Sequence, residues 1–142
     1  PNLYLDIKNQ YTLQMLKGKP IYIHCFDPKN QKSLTEIPAL LKLSEKYGKY
    51  INFISVYSKP NEDFSMSEQR NLDLIKWKKF ELEPTEKSWK ILNIPSFPYY
   101  LFLDKDLVLL ASPALSPSPN GSYETIERSF YDIKRKIEQI GE

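Results

Sequence analysis

The chain begins with apolar and polar side chains alternating over 3–7 and 11–13 around Lys8, Asn9 and Gln10, a pattern that predicts a short opening hairpin. After Lys17, Gly18, Lys19 and Pro20 comes an almost unbroken apolar run, Ile21, Tyr22, Ile23, His24, Cys25, Phe26, as expected of a strand covered on both faces. Ser33 and Glu36 have capping-box spacing, and Leu34, Ile37, Leu41 and Tyr47 recur near the helical period before Gly48. They predict a helix over 33–47 with a kink at Pro38. Residues 51–57 are again strand-like, so 21–57 reads as a strand, helix, strand unit with parallel strands and a right-handed crossover.

A polar, proline-containing loop is predicted over 58–67. Leu72, Ile75, Trp77 and Phe80 among charges predict an amphipathic helix over 68–80, and Trp89 anchors two further helical turns over 85–92. The plainest hairpin signal pairs 99–104 with 108–112 through Lys105, Asp106 and Leu107. The proline- and serine-rich stretch 112–121 is expected to be a surface loop, after which Tyr123, Ile126, Phe130, Ile133, Ile137 and Ile140 form the stripe of a terminal helix ended by Gly141.

Composition narrows what this α/β pattern can do. The 142 residues suit one domain, and 41% hydrophobic against 27% charged side chains allow a packed core and exclude disorder. The formal charge of +2 comes from 20 basic and 18 acidic residues scattered through one another, which makes nucleic acid a poor partner. No apolar run approaches the roughly 20 residues of a membrane helix, so the chain is expected not to span a bilayer. A single cysteine, Cys25, cannot close an internal disulfide, build a multi-thiolate metal site or run a two-thiol redox cycle, and one histidine makes a poor metal site. No metal and no cofactor is expected. Gly-rich phosphate loops, Ser-His-Asp orderings and paired-carboxylate motifs do not stand out. The chain opens at Pro1 without a methionine or an apolar leader, which reads as a segment of a longer or processed chain, 1–142 forming one domain.

The stretch Leu16, Lys17, Gly18, Lys19, Pro20, Ile21, Tyr22, Ile23, His24, Cys25, Phe26, continuing to Thr35, Glu36, Ile37, Pro38, Ala39, Leu40, resembles the core of the TlpA and ResA type of bacterial extracytoplasmic thiol-disulfide oxidoreductases. So does Ile94, Pro95, Ser96, Phe97, Pro98, Tyr99, Tyr100, Leu101, Phe102, Leu103, Asp104, which is similar to that family's segment around its cis-proline. The resemblance covers nearly the whole chain. It implies a thioredoxin-like three-layer sandwich, a mixed central sheet flanked by helices, in an extracytoplasmic setting, periplasmic or attached to the envelope.

The same register shows what is missing. Lys29 stands where the family has tryptophan, Asn30 at the first cysteine and Ser33 at the second, so Asn30, Gln31, Lys32 and Ser33 replace the redox motif. The family's chemistry needs a thiolate of lowered pKa at a helix N-terminus and a second thiol for release, and an amide and a hydroxyl supply neither. Fold alone does not restore the activity. Cys25, five positions before Asn30, reads as a small buried hydrophobe, the alternative being a reactive thiol behind a residual oxidoreductase, isomerase or peroxidase activity. His24 falls beneath the former site, either as a hydrogen-bonded strand histidine or as a pH-sensitive group. Pro98 matches the cis-proline, with Phe97 and Tyr99 beside it as candidates for pairing with an extended peptide. Lys29 and Lys32 are either solvated lysines or an anion-holding pair. The expected function is binding of a protein or peptide partner at this face without redox activity, with a purely structural module that positions a neighbouring domain as the remaining reading.

Overall fold

The computed structural model describes residues 16, 18–60, 62–82, 94–119 and 124–140. The opening hairpin over 3–13 and the helical turns over 85–92 lie outside these residues. Five strands form one sheet: β1 (Ile21–Phe26), β2 (Asn52–Ser58), β3 (Lys78–Leu82), β4 (Tyr99–Leu103) and β5 (Leu109–Ala111), in the order β3-β2-β1-β4-β5. Strand β1 is parallel to β2, and β2 to β3; β4 runs antiparallel to β1, and β5 to β4. Every residue of β1 is buried, as its continuous apolar run requires of the middle strand.

Four helices complete the described chain: α1 (Gln31–Leu34), α2 (Ile37–Tyr47), α3 (Met66–Asp73) and α4 (Glu127–Ile140). Strand alternation divides the core. Ile21, Ile23 and Cys25 join Ile54, Val56, Leu101 and Leu103 on one face. On the other, Tyr22, Phe53, Tyr100 and Phe102 meet Leu40 and Tyr47 of α2 and Phe130 of α4. Phe130 is the hub of this second layer, fully buried, with ring centroids 5.1 Å from Tyr22, 5.5 Å from Phe53 and 5.7 Å from Phe102. Such edge-to-face packing adds directional energy to the area buried.

Four expectations are corrected. The predicted helix over 33–47 is two helices, separated at Thr35 and Glu36. Pro38 then lies in the first turn of α2, where no N–H is needed, so it bends nothing. The Ser33–Glu36 capping box does not form, because Asn30 caps α1 with its own side chain and Glu36 accepts a hydrogen bond from Ser118 instead. The helix predicted over 68–80 ends at Asp73 after starting from a true capping box, Ser65 with Glu68, and 78–82 is a strand. Phe80 and Leu82 enter the core from one side of β3, a two-residue alternation too short to stand out from helical spacing.

Candidate functional site

The site grows from the carboxyl end of β1. Phe26 leads into Asp27 and Pro28, and the chain turns at once: Asn30 N–H donates to the Asp27 carbonyl at 2.9 Å and Lys29 N–H to Asp27 Oδ1 at 3.0 Å. Asn30 Oδ1 accepts from Ser33 N–H at 3.2 Å, the usual service of an N-cap side chain. Ser33 faces inward with no exposure, its hydroxyl accepting from Asp27 N–H at 3.3 Å. At the two positions where the resemblance places cysteines, the chain therefore carries groups occupied in holding the turn.

Lys29 leans away from the helix. Its ammonium lies 3.1 Å from Glu68 Oε1 and 5.8 Å from the centre of the Phe64 ring, tying the turn to the first residues of α3. The same Glu68 carboxylate accepts from Ser65 N–H, and those two contacts, the backbone one first, hold it below the usual range. Lys29 is thus an ion-pair partner rather than half of a lysine pair awaiting an anion. Gln31 and Lys32 are exposed.

Across from α1, the Phe97–Pro98 peptide bond is cis, and Tyr99 and Tyr100 follow in β4 on opposite faces. A cleft of about 370 Å³ opens between this segment, Lys32 to Glu36, and the loop at 113–119. It brings Lys32, Phe97, Pro98 and Tyr99 together; Lys29, Asn30, Gln31 and Ser33 do not line it. The sequence pattern offered no sign of its third wall. The stretch 112–119, expected as a surface loop, is partly packed: Ala114 is buried, Ala114 N–H donates to the Tyr100 carbonyl at 2.8 Å, and the Tyr22 hydroxyl donates to the Leu115 carbonyl at 2.7 Å. Ser118 Oγ reaches Glu36 Oε2 at 2.6 Å, closing the loop onto α2.

Beneath the cleft the buried groups are electrostatically quiet. His24 is sealed between the Phe26 and Tyr100 rings, at 4.5 Å and 5.5 Å, and burial pulls its pKa down to about 3. Its Nδ1 meets Ser55 Oγ at 2.9 Å, whereas its Nε2, like the Tyr100 hydroxyl, has no hydrogen-bond partner among the described residues. Burial also pushes the Tyr100 hydroxyl far up. Cys25 points to the opposite face of the sheet, with no exposure, and burial pushes its thiol far above the ordinary value. Among the described residues no cluster of three metal-ligating side chains occurs. No helix among them is long and apolar enough to cross a membrane.

Neither a protein-family model nor a curated protein matches this sequence. Solved structures do. A solution structure described as a thiol-disulfide oxidoreductase from Bacteroides vulgatus is similar with a TM-score of 0.68 at 24% identity, over 92% of this chain and 83% of that one. The exposed lipoprotein thioredoxin of Streptococcus pneumoniae gives 0.64 at 18% identity over 93% and 99%. A secreted Mycobacterium tuberculosis disulfide oxidoreductase gives 0.63 at 14% identity over 88% and 87%. The chain therefore has the thioredoxin-like α/β fold that these bacterial proteins share, on a scaffold whose single cysteine is sealed inside β1.

Proposed function

We propose that this is a redox-inactive thioredoxin-like domain that binds a protein or peptide partner in the cleft between Lys32, Pro98 and Leu115. The observation that carries the reading is the separation of the one thiol from this cleft: Cys25 lies inside the sheet, while Asn30 and Ser33 spend their side chains on the turn. Thiol-disulfide exchange begins with an accessible thiolate, so neither the former motif nor Cys25 is equipped for it.

What remains is a cleft with both kinds of wall. Pro98, Tyr99 and Pro113 offer apolar surface, and Lys32, Thr35 and Glu36 offer charge and hydrogen bonds, a combination suited to an extended segment whose side chains alternate between them. In this reading the domain is a module of a longer or processed extracytoplasmic chain. The secreted and lipoprotein similarities reported above favour that compartment.

The test is selection of binders from a library of short random peptides, followed by amide chemical-shift mapping. Selected peptides are expected to shift Lys32, Ser96, Tyr99 and Leu115 and to lose affinity in Lys32→Glu and Tyr99→Ala. Peptides that shift only residues elsewhere, or reduction of insulin above background, overturn the proposal.

A further inference from the structure

At the opposite end of the sheet lies a second cleft, of about 490 Å³, that the partner-binding reading does not use. Its walls are Pro20, Tyr50, Leu110, Ile133 and Ile137. They come from four places: the lead into β1, the turn between α2 and β2, the edge strand β5 and the outer half of α4. The apolar stripe of α4 outruns the core. Phe130 is fully buried and Ile133 partly, but Ile137 is 43% exposed, and Leu110 of β5 beside it 56%. Singly exposed apolar side chains are ordinary; a contiguous set lining a concavity marks a binding site.

The rim of this cleft is cationic. Lys19, Lys49, Lys105 and Lys136 surround it, and no described carboxylate lies within ion-pair distance of any of the four. The one acid in the lining, Asp104, turns its Oδ1 to the backbone amides of Asp106 and Val108 at 2.8 and 2.9 Å. Gly18, at φ 118°, donates its N–H to the Lys105 carbonyl at 3.0 Å and so fixes two of the lysine-bearing segments together.

We propose that this cleft binds a single-chain anionic amphiphile, a long-chain carboxylate being the simplest example, with the chain against Ile133, Ile137 and Leu110 and the head group among the lysines. Three features select that occupant. The lysines require negative charge, and their apolar stems extend the wall while their heads stay in water. The walls supply almost no hydrogen-bond acceptor, so an extended peptide laid in the cleft would bury amide N–H groups without partners, whereas a hydrocarbon chain has none to satisfy. The volume of about 490 Å³ falls in the range of small-molecule sites.

The experiment is isothermal titration of the full chain with laurate below its micelle concentration, against dodecyltrimethylammonium as a cationic amphiphile of matched length. Saturable binding of laurate is expected, with at least about tenfold weaker binding of the cation, and about tenfold loss of laurate affinity in Leu110→Ser or Ile137→Ser, both exposed positions that leave the core intact. Lys105→Glu with Lys136→Glu is expected to reverse the preference between the two amphiphiles. Equal affinity for both, or no saturable binding, overturns the proposal. So does retention on phosphatidylglycerol vesicles, self-association through this face, or capture of an acidic peptide there, where laurate neither binds nor competes. Peptide binding at the Lys32 cleft is unaffected by these variants, so failure here and failure of the partner-binding reading are told apart.

Discussion

Ser55 Oγ stands 2.9 Å from His24 Nδ1 and also accepts the Trp77 indole N–H at 2.8 Å, so one hydroxyl joins the imidazole to the indole. Burial opposes the charged form, so His24 is held as a neutral imidazole with Nδ1 tied to Ser55. A chain of three side chains from β1, β2 and the segment after α3 thus fixes the imidazole under the cleft.

The first prediction follows from this. An unfolded histidine titrates near pH 6.5, and His24 in the folded chain near 3, so the unfolded state binds a proton that the native state refuses. The contribution is complete above pH 6.5 and is lost as pH falls toward 3, at about 1.4 kcal/mol per pH unit. Urea unfolding at pH 7 and pH 5 is expected to differ by about 2 kcal/mol from this group, with the difference flattened in His24→Asn. A His24 ring proton resonance that moves through a midpoint between pH 5 and 8 contradicts the burial described above.

Cys25 should behave as packing rather than chemistry. In native buffer Ellman's reagent is expected to react with it only as fast as the domain opens, and promptly in denaturant, because the thiol is fully buried and its ionisation strongly opposed. Rapid native labelling would favour residual thiol chemistry through Cys25.

Restoring two sulfurs provides a gain-of-function test. Asn30→Cys with Ser33→Cys puts one thiol at the exposed N-cap and a second at a buried position one turn on. The pair is expected to form a disulfide and to reduce insulin with dithiothreitol above the background of the unaltered chain, since the scaffold is present and only the thiols are wanting. Loss of the Asn30 cap costs about 1 kcal/mol. A double variant that folds, forms the disulfide and stays inactive would show that more than two sulfur atoms has been lost.

Along α4, position decides energy. Phe130→Ala is expected to cost about 3 to 5 kcal/mol in chemical unfolding, because four aromatic neighbours and no solvent surround the ring. Ile140→Ala, at 85% exposure on the same stripe, is expected to stay within about 0.5 kcal/mol. Equal costs would mean that the end of the helix is packed in solution.

Local pattern by itself determined β1, β2, the β4–β5 hairpin and the α4 stripe, because each carries a sustained signal: the apolar run 21–26, short, rich in β-branched and aromatic residues and preceded by Gly18 and Pro20, reads as a strand covered on both sides. The absence of a second thiol was equally legible, since a count needs no geometry. Tertiary structure alone decided the rest. Whether 78–82 continued a helix or paired with β2 depended on the open edge of a distant strand. Whether Ser33 or Asn30 capped the first helix turned on which side chain the end of β1 drew inward. The cleft wall at 113–119 exists because Tyr22 and Tyr100, far back in the sheet, anchor it through hydrogen bonds, and contacts between residues so distant in sequence leave no period for a local pattern to reveal.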